Sequence, residues 1–273
     1  MCYTQRERHR LQWQPLKREW IVVGGGMYRV RNLVAVISVL ASVYAATVAA
    51  VEPAVESALK AALEKPDAGM VVESISDTDM PELFQVKFVN GPTVIAHQSG
   101  QFFVLGDLFR VLDDGYMNLS ELARNKVRAE QIASVKKSDT IVFAAEGETR
   151  AVISIFTDNT CFYCRKLHQE VPQLNAFGIE VRYLAYPRSG LNSASYRQLV
   201  TAWCAQDQQQ TLTALKADED VAIDTCSPNP IAEQFQLGQD MGVRGTPAII
   251  LESGEMIPGY KPAQDIAQLL GLL

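Results

Sequence analysis

The chain has 273 residues, 48% of them apolar, and a formal net charge of −6, which is length for one or two domains with ordinary cores. The charge is uneven: residues 1–50 carry seven Lys/Arg against two Glu, a net of +5, so the remainder stands at −11. So acidic a body lacks the Lys and Arg that phosphate contacts need, which argues against a nucleic-acid partner, and five cysteines are too few for a disulfide-dense scaffold.

From Met27 the sequence reads MYRVRNLVAVISVLASVYAATVAAVEP. Arg29 and Arg31 form a short basic region, an apolar uncharged run follows from Leu33, and small residues close it. This is the layout of a secretory signal peptide, expected over 27–50 with cleavage after Val48-Ala49-Ala50. A membrane anchor is the alternative, because residues 33–51 are uncharged over a spanning length. The small-residue end favours cleavage. Residues 1–26 fit neither scheme and are expected to lie upstream of the true start, Met27. Cys2 then has no role, and the four remaining cysteines of an exported chain suggest pairs.

Residues 56–64 (ESALKAALE) read as a short helix ended by Pro66-Asp67-Ala68-Gly69. Four strand-like runs follow, 71–75, 83–89, 93–96 and 101–105, separated by turn residues at Asp77, Asn90-Gly91-Pro92, Ser99-Gly100 and Asp113-Asp114-Gly115. So small a sheet has little interior of its own, and its edges invite pairing with another chain. Residues 118–137 read as one charged helix with Asn118 and Glu121 as a capping box. Its apolar residues are sparse, as in a connector rather than a core element.

After Ser138 the pattern becomes α/β. Strands are expected over 140–145 and 150–156, and a helix over 161–177, bent at Pro172 and stopped by Gly178. A strand over 179–186 completes a βαβ unit with a parallel pair. Helices are expected over 195–216 and 231–241, a strand over 248–251, a turn at Glu252-Ser253-Gly254 and a last helix over 262–270.

Cys161-Phe162-Tyr163-Cys164 places two sulfurs on the first turn of a helix that follows a buried strand. Free N–H groups and the positive end of the helix dipole favour an anion at Cys161, and thiols in such motifs fall to pKa values of roughly 3.5–7.5. Cys161 is therefore the expected nucleophile, the more exposed and more acidic of the two. Cys164, one turn inward, can resolve the mixed disulfide. Two other readings of the motif are a structural disulfide and a zinc pair. Zinc would take His168 as a third ligand but has no obvious fourth, and His168 reads as a solvated helix residue. No metal or cofactor is expected.

These residues also carry a resemblance. Residues 156–168 (FTDNTCFYCRKLH), 178–188 (GIEVRYLAYPR), 202–205 (AWCA), 242–248 (GVRGTPA) and 258–260 (PGY) resemble the bacterial periplasmic disulfide isomerases of the DsbC/DsbG family. The resemblance implies an α+β N-terminal dimerisation domain (51–115) joined by a linker helix (116–138) to an α/β thioredoxin-like domain (139–273) with a helical insertion. It implies that Thr246-Pro247 is a cis-proline pair that binds substrate backbone near the dithiol, and that Cys204 and Cys226 form a structural disulfide. It further implies a periplasmic homodimer that rearranges wrong disulfides in misoxidised or unfolded exported proteins, with chaperone activity and a DsbD-like membrane reductase as electron donor. A DsbG-like reductase or oxidase of selected substrates, and a holdase chaperone with a secondary dithiol, are the alternatives. The chain departs from the family between its cysteines, where Gly-Tyr or Pro-Tyr is replaced by Phe162-Tyr163, two residues expected to border the thiolate and contact substrate.

Overall fold

The computed structural model describes residues 51–273, together with a two-residue antiparallel ladder of Val22–Val23 on Gly26–Met27. The expected signal peptide and its cleavage site lie outside the described residues. The chain divides into two compact units, residues 1–103 and 104–273.

In the first unit, helix α1 (Pro53–Leu63) opens three residues earlier than its apolar pattern suggests, because proline's fixed φ and missing N–H are tolerated in a first turn. The strands β1 (Val72–Asp77), β2 (Leu83–Phe88), β3 (Thr93–His97) and β4 (Phe103–Val104) pair in that order, β1 with β2 and β2 with β3 antiparallel. Alternation along β2 buries Val86 and Phe88 and leaves Lys87 exposed. Leu59 and Leu63 of α1 pack with Val72, Val86, Phe88, Val94 and Ala96 into a small core. Gly100, at φ 66°, lets the turn after β3 approach the helix: a Cβ there would stand 2.4 Å from that of Ala62.

The second unit begins with a hairpin the sequence pattern did not reveal, β5 (Phe109–Leu112) and β6 (Gly115–Asn118), turning at Asp113-Asp114. Helix α2 (Leu119–Ser134) follows, and the Asn118 side chain accepts from Glu121 N at 2.9 Å. The Glu121 carboxylate is taken up by Arg124 and Arg128. This helix is more than a polar connector. Arg128 is buried and its Nε donates to the carbonyl of Gly254 at 2.9 Å, while Ile132 and Val135 pack against Phe156, Leu184, Tyr186 and Ile250. An arginine reads as a solvated residue by type, which is why the sequence understates the docked face.

A five-stranded sheet in the order β11-β10-β8-β9-β7 forms the centre of this unit: β7 (Ile141–Phe143), β8 (Ala151–Thr157), β9 (Ile179–Ala185), β10 (Ala248–Leu251) and β11 (Met256–Pro258). β8 and β9 run parallel, and the other three pairings are antiparallel. The crossover from β8 to β9 is two helices rather than one bent one, α3 (Phe162–Gln169) and α4 (Val171–Ala176). Pro172 cannot donate to the helical ladder and its ring excludes the carbonyl four residues back. The single helix expected over 195–216 is likewise two, α5 (Ala194–Cys204) and α6 (Gln208–Lys216), because Asp207 caps a new start by accepting from Gln210 N at 2.9 Å. Helices α7 (Ile231–Asp240) and α8 (Ala263–Leu269) complete the layers around a core that includes Ile153, Ile155, Leu167, Tyr183, Leu199 and Ile249.

Candidate active site

β8 delivers the chain to a loop organised by Asp158. This carboxylate is buried and accepts from Thr160 N and Oγ1, from Ser195 Oγ and from Arg188 N, at 2.7–2.9 Å. Burial alone would raise its pKa, but the hydrogen bonds from Ser195, Thr160 and Arg188 outweigh it and hold the group below the ordinary carboxylate range. The loop therefore stops in one conformation and presents Cys161 as the N-cap of α3, with Cys164 one turn in.

Both sulfurs are unbonded and both residues are buried, Cys161 at 4% and Cys164 at 1% exposure. The expected difference in exposure is therefore small, and the difference between the two lies in their electrostatics. A donated hydrogen bond from the Cys164 thiol lowers the Cys161 pKa to about 5, with the Thr246 hydroxyl, the Cys164 backbone N–H and the Arg188 charge adding to the effect against burial. Burial raises Cys164 well above the ordinary thiol value, and donation to Cys161 raises it further. Cys161 Sγ lies 3.1 Å from the carbonyl oxygen of Thr246, and the Thr246-Pro247 peptide is cis.

Phe162 and Tyr163 turn outward beside the dithiol, 71% and 54% exposed, with their rings edge to face at 5.3 Å. Tyr163 in turn stacks on Tyr260 at 6.2 Å, Lys166 Nζ stands 4.2 Å over the Tyr260 ring, and the Tyr260 hydroxyl donates to Glu170. The sequence singled out Tyr260 only as part of a motif. Its place in an aromatic row depends on β11, a strand too short and proline-ended to read.

His168 is not a solvated residue. It is buried, with Nδ1 3.0 Å from Tyr183 Oη and Nε2 2.9 Å from Thr213 Oγ1. Burial and the charge of Lys216 lower its pKa to about 3. Both ring nitrogens are thus committed and neither is free for a metal. Among the described residues no group of three His, Cys, Asp or Glu could hold one. The spacing Cys164, Leu167, His168, Val171 along one buried face is the signal that could have placed His168 inside. Cys204 and Cys226 are joined by a disulfide, S–S 1.98 Å, which ties the end of α5 to the loop before α7.

A family model described as a disulfide bond isomerase protein N-terminal domain matches residues 47–121, and one for a thioredoxin-like domain matches residues 137–273. The chain is 35% identical over 181 residues to the thiol:disulfide interchange protein DsbC of Escherichia coli strain K12, covering 66% of this chain and 74% of that protein. The chain belongs to the DsbC family. The DsbC of Dickeya dadantii is 35% identical over 74% of this chain and 82% of its own, and that of Salmonella typhimurium is 37% identical over 65% and 75%. Like these DsbC proteins, the chain is a thiol:disulfide oxidoreductase, a disulfide isomerase carrying a DsbC-type N-terminal domain ahead of a thioredoxin-like one.

Proposed function

We propose that Cys161 is the nucleophile and Cys164 the resolving thiol of this isomerase, working in the periplasm on exported proteins. The observation that carries the assignment is the opposite displacement of two adjacent thiols, one lowered at a helix end and one raised behind it. The Cys161 thiolate attacks a wrong disulfide of the substrate, forming a Cys161–substrate disulfide and releasing one substrate thiolate. That thiolate can attack another disulfide of the same substrate, and the substrate thiolate set free there then attacks the Cys161–substrate disulfide and releases Cys161, with no net change in oxidation. Otherwise Cys164 attacks Cys161, the pair becomes a disulfide and the substrate leaves reduced.

The second route consumes the dithiol, so a donor of two electrons must restore it, for which a DsbD-like membrane reductase is the candidate. Thr246 and Pro247 offer backbone to an extended substrate opposite Cys161, and Phe162 and Tyr163 offer exposed aromatic surface beside it. Residues 27–50 supply export, residues 51–115 supply a homodimer contact, 116–138 link, and 139–273 carry the dithiol. Two such dithiols facing one cleft would also bind unfolded chains, as a chaperone does. An acidic body supports proteins rather than nucleic acid as partners.

Acid trapping and alkylation of the protein in the living periplasm tests this reading. Cys161 and Cys164 should be found mainly as thiols, and a mainly oxidised pair would make the protein a net oxidase. Light scattering of a chain lacking residues 51–115 should give a monomer where the whole chain gives a dimer.

A further inference from the structure

Lys216 closes α6 and is 4% exposed. A buried lysine is uncommon and costly unless something holds its charge. Its Nζ donates to Thr157 Oγ1 at 2.7 Å and stands 5.2 Å from the centroid of the Tyr183 ring. Among the described residues no carboxylate lies within ion-pair distance of it. Thr157 is the last residue of β8, four positions before Cys161, so the ammonium sits beneath the dithiol. The titratable and charged groups that face it are Cys161, Cys164, Arg165 and His168 from α3 and its cap, Asp158 from the loop, and Tyr183 from β9. The group it favours on Cys164 is the thiolate. A cavity of about 520 Å³ beside α3 and α6, lined in part by Arg165, His168, Thr213 and Lys216, opens this region toward solvent.

We propose that Lys216 is a positioning residue for the second half of the reaction, its ammonium holding the thiolate of Cys164 as that residue displaces the substrate. The inference rests on the assignment of Cys161 as nucleophile and Cys164 as resolving thiol. In the step, Cys164 gives up its proton to water. The Cys164 sulfur then bonds to the Cys161 sulfur, and the bond from Cys161 to the substrate sulfur breaks. The substrate leaves as a thiolate that takes up a proton, the substrate disulfide having gained the two electrons that the dithiol lost. Without the ammonium, the same thiolate must form in an apolar interior, where an unpaired charge is strongly disfavoured. Lys216 thus speeds closure of the dithiol and sets how often a mixed disulfide ends in reduction rather than in rearrangement.

Stopped-flow reaction of the full-length reduced protein with excess dithiobis(nitrobenzoate) separates the two steps. The first nitrothiolate is released at a rate proportional to reagent, by Cys161. The second is released at a rate independent of reagent, by Cys164. Cys164→Ala must abolish the second phase, and persistence of that phase would refute the role assignment itself. Lys216→Met, which keeps the length and volume of the side chain, should slow the second phase tenfold or more at pH 7 while the first stays within threefold. Burial lowers the Lys216 pKa to about 8, so the ammonium is present at pH 7 and lost above about 8. The ratio of wild-type to variant second-phase rates should therefore shrink as pH rises from 7 to 9.5. Thr157→Val, which removes the Nζ partner without changing shape, should give a smaller loss with the same pH trend and serves if Lys216→Met does not fold. A second phase unchanged in the folded variants, a ratio that does not vary with pH, or equal slowing of both phases would overturn the proposal.

Discussion

The low pKa of Cys161 has an identifiable largest cause, the hydrogen bond donated by the Cys164 thiol. Cys164→Ala removes that donor while leaving the backbone N–H at 164, the Thr246 hydroxyl and the Arg188 charge in place. A hydrogen bond to a charged group contributes about 2 kcal/mol, and 1.36 kcal/mol corresponds to one pH unit. The Cys161 titration midpoint should therefore rise by about 1.5 pH units, from about 5 to roughly 6.5. The thiolate fraction at pH 5.5 then falls from roughly three quarters to roughly one tenth, and alkylation by iodoacetamide should slow by about eightfold there. At pH 7.5 both proteins are almost fully ionised, and the rates should agree within about 1.5-fold. Thiolate absorbance near 240 nm and the pH profile of alkylation both read this midpoint. A midpoint left at about 5 in the variant would show that the helix end and the Thr246 and Arg188 groups suffice, and would refute the dominant role given to Cys164.

Other consequences follow from particular contacts. Gly254→Ala should destabilise residues 104–273 by about 3 kcal/mol or more in urea unfolding, because at φ 79° the new Cβ would stand 1.8 Å from the Asn125 carbonyl oxygen and 2.6 Å from Ala129 N. Replacing Cys204 and Cys226 together by serine should lower stability by about 3 kcal/mol, the disulfide closing a loop of sequence separation 22, and should leave both phases of reaction with dithiobis(nitrobenzoate) intact. Asp158→Asn should cost about 2 kcal/mol at pH 7, since the buried carboxylate takes four donated hydrogen bonds that the amide can only partly keep. The folded-state pKa of Asp158 is lowered, so its contribution is complete above the unfolded value of about 3.9 and disappears as pH falls below it. The gap between wild type and Asp158→Asn in acid unfolding should narrow over that window.

The dithiol was readable because its chemistry rests on local spacing. A CxxC at the mouth of a strand–helix junction needs no distant residue to be recognised, and the parallel pairing of β8 with β9 followed from the helical crossover between them. What escaped was set by contacts remote in sequence. Lys216 lies 59 positions from Thr157 and Tyr260 lies 90 from Glu170, and no period in either segment announces those partners. The break between α5 and α6 turned on one capping residue, Asp207, inside a run of good helix formers. Arg128 finds its acceptor, the carbonyl of Gly254, in a turn 126 residues away, so the docked face of α2 has no local signal. His168 was misjudged by type, although its neighbours Cys164, Leu167 and Val171 already formed a buried stripe.

The measurement that bears most directly on the account is the refolding of a scrambled multi-disulfide substrate by the full-length reduced protein. Wild type should restore native pairings, and Cys161→Ala should lose that activity altogether while remaining folded. Cys164→Ala should keep a reduced part of it, because rearrangement through the substrate's own thiol needs only Cys161. Isomerase activity that survives Cys161→Ala would contradict the assignment of that thiolate as the group that attacks.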